Sequence, residues 1–153
     1  MELDVNSAID AVLKRLTVKI TLKPEQRSAL KAFIDKRDVF CVLPTGFGKS
    51  LIYQLVPLVL EEMGLGEKML IIISPLLALM EDQIKEAARF GLTAMQLGVH
   101  DDSDISNGQC SLVFGTPEAW ILKEKYRDML NSDIYKQRLF GIVVDEVHMT
   151  YKW

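Results

Sequence analysis

The sequence predicts an α/β fold with a mostly parallel sheet sandwiched by helices, and three observations carry that prediction. Five apolar runs of four to six residues, at 39–43, 69–73, 92–97, 111–114 and 140–144, are too uniformly hydrophobic for half-exposed strands. They match the strands of a parallel sheet, which are buried on both faces. The segments between them carry apolar residues at helical spacing, so strand and helix alternate along the chain. The chain has 153 residues, 49% of them hydrophobic and 25% charged. That is long and apolar enough for one domain with its own core.

Before the first run, Val5, Ala8, Ile9, Val12, Leu13 and Leu16 lie at helical spacing over 5–16. After a break at 21–24, a second helix is expected from Glu25 to about Lys36, with Pro24 at its first position. Residues 1–36 thus form an N-terminal helical segment ahead of the alternating pattern. Further helices are expected over 50–63, 76–90 and 118–130. Pro57 lies inside the first of these, where a missing N–H kinks a helix without functional meaning. No internal repeat, low-complexity tract or linker interrupts 1–153, so one continuous domain is expected.

Eighteen Lys and Arg against 21 Asp and Glu give a net charge of −3, with a pI near 5.4 and a mean hydropathy of +0.14. No global positive field draws such a chain onto nucleic acid or an anionic membrane, so any nucleic-acid contact is expected to be local. The longest apolar stretch, 69–80, is broken by Ser74 and Pro75 and falls short of the roughly 20 residues that span a bilayer. The N-terminus has Glu2 and Asp4 and no basic region before an apolar core, unlike a signal peptide. Cys41 and Cys110 have no second Cys or His at ligand spacing. They read as buried reduced thiols of an intracellular protein, nuclear if the source is eukaryotic.

In folds of this class ligands bind beyond the carboxyl ends of the strands. The loops to search are therefore 44–49, 74–75, 116–118 and 145–148. The first of them, Leu43-Pro44-Thr45-Gly46-Phe47-Gly48-Lys49-Ser50, follows an expected buried strand and opens an expected helix. That is the context of a phosphate-binding loop. Gly46 and Gly48 permit positive φ and close backbone approach, so the N–H groups along Thr45, Gly46, Phe47 and Gly48 can form a nest around phosphate oxygens at a helix N-terminus. Lys49 would reach the β- and γ-phosphates, and the Ser50 hydroxyl would help hold Mg²⁺. Leu43 stands where the full pattern has glycine. The dinucleotide-binding alternative fails because Leu51 stands where its third glycine belongs.

The last apolar run ends in Asp145-Glu146-Val147-His148. Two carboxylates just beyond a buried strand are costly without a cation. Asp145 fits an Mg²⁺-supporting aspartate, and Glu146 fits a general base or water-orienting group for attack on a γ-phosphate. His148 either couples the nucleotide state to another event or caps the strand end.

In this order, LPTGFGKSLIYQ, SPLLALMEDQ, GTPEAW and VVDEVH resemble motifs I, Ia, Ib and II of the RecQ family of ATP-dependent DNA helicases, over about residues 20–153. The resemblance implies a RecA-like P-loop NTPase domain, ATP and Mg²⁺ as cofactors, and a place in DNA repair or recombination. Leu22-Lys23-Pro24-Glu25-Gln26 is similar to the family's motif 0, which implies that Lys23 and Gln26 contact adenine. Residues 1–32 contain no aromatic residue, whereas the family often stacks one on the base. By the same resemblance Ser74, Gln83 and Thr116 would touch the backbone of single-stranded DNA. Trp153 matches the first tryptophan of an aromatic-rich loop that links DNA binding to hydrolysis, although Lys152 stands where that loop usually has Gln. Residue by residue there are ordinary readings too: Ser74 as a strand-end turn, Gln83 as a helix-surface amide, Thr116 as a Thr-Pro turn.

Phe33, Phe40, Phe90, Phe114 and Trp120 fall on apolar faces and read as core. The stretch from His100 to Asp104 reads as a solvated loop, since a calcium loop counted from Asp102 would need glycine at 107 and glutamate at 113, where Asn107 and Val113 occur. The family's motif III and its second RecA-like domain, with the arginine finger, are not in these 153 residues. The chain is thus expected to be an incomplete helicase lobe, weak in its contacts with single-stranded or duplex DNA and unable to unwind alone. A nucleotide-dependent interaction module with little turnover is the alternative. A small-molecule kinase is disfavoured by Glu146 directly after Asp145, a pair suited to water attack.

Overall fold

The computed structural model describes residues 4–36, 48–74 and 77–144. The chain divides into two compact units, 1–67 and 68–153. The expected strand at 39–43, the loop residues Thr45, Gly46 and Phe47, the acidic residues Asp145 and Glu146, and His148 and Trp153 lie outside the described residues. Cys41 and Phe40 lie outside them as well.

In the first unit, α1 runs Val5–Arg15, α2 Pro24–Ile34 and α3 Lys49–Glu62. The side chain of Asp4 accepts from the Ser7 N–H at 2.9 Å and caps α1, satisfying one of the donors that a helix start leaves open. Pro24 opens α2 as expected. Ala8, Ile9 and Val12 of α1, Leu30 of α2 and Leu55, Val56, Val59 and Leu60 of α3 are buried, at the spacing that gives each helix one apolar stripe. Arg27 of α2 bonds Asp10 of α1 at 2.7 Å, and Arg15 of α1 faces Glu62 of α3 at 3.7 Å. The helix α3 is continuous through Pro57.

Among the described residues, the second unit is built on four parallel strands in the order β2-β3-β1-β4. They are β1 (Met69–Ile73), β2 (Ala94–Gln96), β3 (Leu112–Gly115) and β4 (Leu139–Val144). Strand β1 has the bounds that its apolar run predicts and lies inside the sheet, with Met69, Leu70, Ile71 and Ile72 all buried. The helices are α4 (Leu77–Arg89), α5 (Asp102–Ser106), α6 (Pro117–Leu122), α7 (Glu124–Leu130) and α8 (Asp133–Arg138). One core cluster gathers Met69, Ile71, Leu97, Ile105, Cys110, Val113, Trp120, Tyr126, Met129 and Tyr135.

Four expectations are corrected here. The single helix over 118–130 is two, broken at Lys123, which is extended at φ −88°, ψ 112°. At 100° per residue an unbroken helix would put Trp120 and Met129 on opposite sides, and the break turns both into the same core. The loop at 100–104 contains α5, started by Asp101, whose carboxylate accepts from the N–H groups of Ser103 and Asp104. The third correction is α8, where no helix is expected from the sequence; it begins on the Ser132 hydroxyl, which accepts from the Tyr135 N–H at 3.4 Å. Finally, β4 is not fully buried. It flanks the described sheet, and Ile142 and Val144 are 54% and 52% exposed.

Two polar ties hold the second unit's connections. Asp102 accepts from Lys125 at 2.8 Å and from the Tyr126 hydroxyl at 3.0 Å, joining α5 to α7. The hydrogen bond from Lys125, then that from Tyr126, holds the Asp102 carboxyl below the ordinary carboxylate range. The buried Tyr135 hydroxyl donates to the Ile105 carbonyl at 2.7 Å, and the Arg138 guanidinium donates to the Gly108 carbonyl. Cys110 is free and buried, and burial pushes its thiol up to about 12. Among the described residues no helix is long and apolar enough to cross a membrane.

Candidate nucleotide site and strand ends

Of the segment whose sequence reads as a phosphate-binding loop, the described part is its closing end. Gly48 stands before α3 in the left-handed region, at φ +83°, ψ +39°, which glycine enters without steric cost. From that turn Lys49 and Ser50 begin the helix, and Ser50 is half-buried. A second contact fixes the turn. Gln26, 3% exposed on α2, donates from Nε2 to the Gly48 carbonyl at 3.1 Å. Its Oε1 accepts the Lys23 N–H at 2.8 Å, so one amide both caps α2 and braces the start of α3. A Cβ on Gly48 would come within 2.6 Å of that Nε2. Glycine is thus required twice, for its φ and for the closeness of Gln26. The sequence-predicted pair Lys23 and Gln26 and the loop end Gly48-Lys49-Ser50 are brought together in one unit.

Of the other predicted residues in the described part, Ser74 and Thr116 gather at the carboxyl ends of the strands, whereas Gln83 lies midway along α4. Ile73 is in register with Gly115 on one side and Val144 on the other, so β1, β3 and β4 end level. Ser74 follows β1, is fully buried, and donates its N–H to the Gly115 carbonyl at 3.0 Å. Thr116 follows β3 and caps α6, accepting the Ala119 N–H on Oγ1 at 3.2 Å. Ser74 and Thr116 are therefore neighbours across the β1–β3 pair. Gln83 is half-buried on α4.

Sequence reasoning missed Gly115, which precedes Thr116. A Cβ there would lie 2.5 Å from Trp120 Nε1 and 2.8 Å from Leu97 Cδ1. The signal was present in the Gly-Thr-Pro-Glu-Ala-Trp string: a helix starting at Pro117 carries its fourth residue, Trp120, back over the preceding turn.

A model of the DEAD/DEAH box helicase family matches residues 23–153, which takes in the Gln26 brace, the loop end and all four strands. The chain belongs to the DEAD/DEAH box helicase family. Within that family it is similar to RecQ-type helicases. It is 33% identical over 141 residues to the ATP-dependent DNA helicase Q1 of Rattus norvegicus, covering 86% of this chain and 22% of the relative. It is 33% identical over 155 residues to the ATP-dependent helicase SGS1 of Saccharomyces cerevisiae, covering 94% of this chain and 11% of that protein. To the ATP-dependent DNA helicase RecQ of Synechocystis it is 31% identical, over 95% of this chain and 30% of the relative. The chain thus spans between about a tenth and a third of the length of these relatives. The UvsW helicase of bacteriophage T4 shares the fold, with a TM-score of 0.57 and 16% identity over 94% of this chain and 61% of the other. This DEAD/DEAH chain has the parallel α/β architecture that the alternating pattern predicts, of the RecA-like kind that the resemblance implies.

Proposed function

We propose that this chain is the ATP-binding and hydrolysing lobe of a RecQ-like DNA helicase, which unwinds DNA in the 3′-to-5′ direction as part of a complete two-lobed enzyme and not as this lobe alone. The left-handed Gly48 turn carries the reading, braced by the Gln26 amide directly before Lys49 and Ser50. Such a turn aims backbone N–H groups at an anion and sets a lysine beside it. Family membership and relatives named ATP-dependent DNA helicases support the same assignment.

In this reading Thr45, Gly46, Phe47 and Gly48 cradle the phosphates, Lys49 neutralises the β- and γ-phosphates, and Lys23 and Gln26 face the adenine. Ser50 and Asp145 supply hard oxygen ligands, the donor chemistry Mg²⁺ prefers. When bound, the ion would draw charge from the transferring phosphoryl group. Glu146 takes the proton of the attacking water. Ser74, Thr116 and Gln83, with Trp153, would meet a DNA strand, and His148 would relay its presence to the nucleotide. The second lobe, with its arginine finger, and DNA are the partners this assignment requires.

Lys49→Ala is expected to weaken binding of a fluorescent Mg·ATP analogue at least about tenfold, having lost the cation facing the phosphates. Equal affinity of the two proteins in a titration removes the phosphate-loop assignment. Glu146→Gln is expected to keep that affinity while lowering single-turnover hydrolysis by roughly 10²–10⁴-fold, since an amide cannot accept the water's proton. Loss of Mg·ATP binding by Glu146→Gln would instead make the residue a metal or structural group.

A further inference from the structure

Four polar residues are buried in the described chain: Gln26, Gln54, Ser74 and Gln96. The Gln26 amide holds Lys23 and Gly48. Ser74 donates its N–H to Gly115, and Gln96 donates its N–H to His100 Nδ1. Those two bonds are made by the backbone, and of the four side chains only that of Gln54 has polar atoms both shut off from solvent and unpartnered. Gln54 is completely buried in α3, and neither its Nε2 nor its Oε1 has a hydrogen-bond partner among the described residues.

An amide removed from water without partners destabilises a fold, whereas an apolar side chain of the same shape there is neutral or stabilising. Around Gln54 the helix reads Leu51-Ile52-Tyr53-Gln54-Leu55-Val56, and Leu55, Val56, Val59 and Leu60 are fully buried. Nothing in such an apolar run calls for an amide. A residue that breaks the local rule at a cost in stability marks a place used in another state of the protein.

The position of Gln54 indicates which state. It lies four residues after Ser50, one turn along the same face of α3. Helical side chains lean toward the N-terminus, which carries this amide toward the turn that Gly48, Lys49 and Ser50 open. We propose that Gln54 is a positioning residue of the nucleotide site, whose amide, without a partner among the described residues, gains one when Mg·ATP is bound. The inference rests on the phosphate-loop reading. A group paired in only one of two states gives the ligand a differential interaction with that state, which is the one thing that shifts such an equilibrium. Gln54 thereby links the set of α3 to occupancy of the loop, without touching the nucleotide.

The test compares wild type, Gln54→Met and Lys49→Ala, using thermal melting without nucleotide and titration with a fluorescent Mg·ATP analogue. Methionine keeps the length and flexibility of glutamine and has no amide. Gln54→Met is expected to melt at or above the wild-type temperature when empty and to bind Mg·ATP five- to tenfold more weakly. A merely structural amide would move the first readout and leave the second. Binding within twofold of wild type overturns the proposal, and so does a lower melting temperature of the empty variant, which would reveal a partner already present. If Gln54→Met does not fold, Gln54→Leu is judged on the same two readouts, and failure of both to fold also overturns it. Wild-type binding no stronger than that of Lys49→Ala removes the phosphate-loop reading itself, and this inference with it. Wild-type binding stronger than that of Lys49→Ala, with Gln54→Met unchanged, removes only the inference.

Discussion

Gly48→Ala is expected to lower the melting temperature by roughly 5–15 °C, given about 2–4 °C per kcal/mol for a chain of this size. Two costs add. A Cβ in the left-handed region costs about 1–2 kcal/mol. The same atom would lie 2.6 Å from Gln26 Nε2, so the amide must leave, abandoning the Gly48 carbonyl and the Lys23 N–H for a further ~1–3 kcal/mol. With the turn re-aimed, Mg·ATP affinity should fall by about a hundredfold or more, equivalent to roughly 2.7 kcal/mol. Gly66→Ala is the control: Gly66 also has positive φ, at +86°, but nothing lies within 4 Å of its would-be Cβ. It should show the conformational cost alone and full nucleotide affinity. If the two variants lose the same stability, the Gln26 brace contributes nothing.

Gly115→Ala should be nearly as damaging, by another route. Its φ is not in the left-handed region, so the penalty is crowding: the new methyl meets Trp120 Nε1 at 2.5 Å and Leu97 Cδ1 at 2.8 Å. Both neighbours belong to the core cluster, where side chains have little room to yield. Overpacking of this kind costs about 1–3 kcal/mol and occasionally more. The strand end then shifts, and with it the carbonyl that receives the Ser74 N–H. Urea unfolding of Gly115→Ala, Trp120→Phe and the double variant measures the coupling. Trimming the indole should recover about 1 kcal/mol or more of the loss in the double variant. Strict additivity of the two changes would show that the crowding is relieved elsewhere.

The parts of the fold that could be read in the sequence are those where one physical signal dominates. Met69-Leu70-Ile71-Ile72-Ile73 gave a strand with correct bounds, because an unbroken apolar run ending in three β-branched isoleucines between turn residues suits little else. The start of α2 was equally plain, since Pro24 fits a first helical turn. The helical reading of 118–130 failed because apolar residues at Trp120, Tyr126 and Met129 satisfy no single 3.6-residue period, and the chain resolves the conflict by breaking at Lys123. The helices α5 and α8 are five and six residues long, too short to show a period, and only their caps, Asp101 and Ser132, announce them. In β4 the run of apolar residues said nothing about which side was covered. At the candidate site the left-handed turn at Gly48 and the helix that starts beside it were legible, because a glycine just before a helical pattern suits a positive φ. The Gln26 contact with Gly48 joins residues 22 positions apart and has no local trace. Gln54 was seen only as the end of the LPTGFGKSLIYQ string, and its burial without a partner has no local trace amid leucine and valine.

The placement of β1 inside its sheet has a consequence for how the chain acquires its fold. One edge of β1 pairs with β3, some 42 residues later, and the other with β4, where Leu70 is matched to Gly141. During synthesis, then, β1, the most apolar of the described strands, waits for its β4 partner until residue 144 has left the ribosome. Pairings so distant in sequence form late and slowly, and a waiting strand of this composition is a template for association with other chains. A chain truncated at about residue 135 would hold β1 and β3 but lack β4, leaving the far edge of β1 without its described partner and open to association.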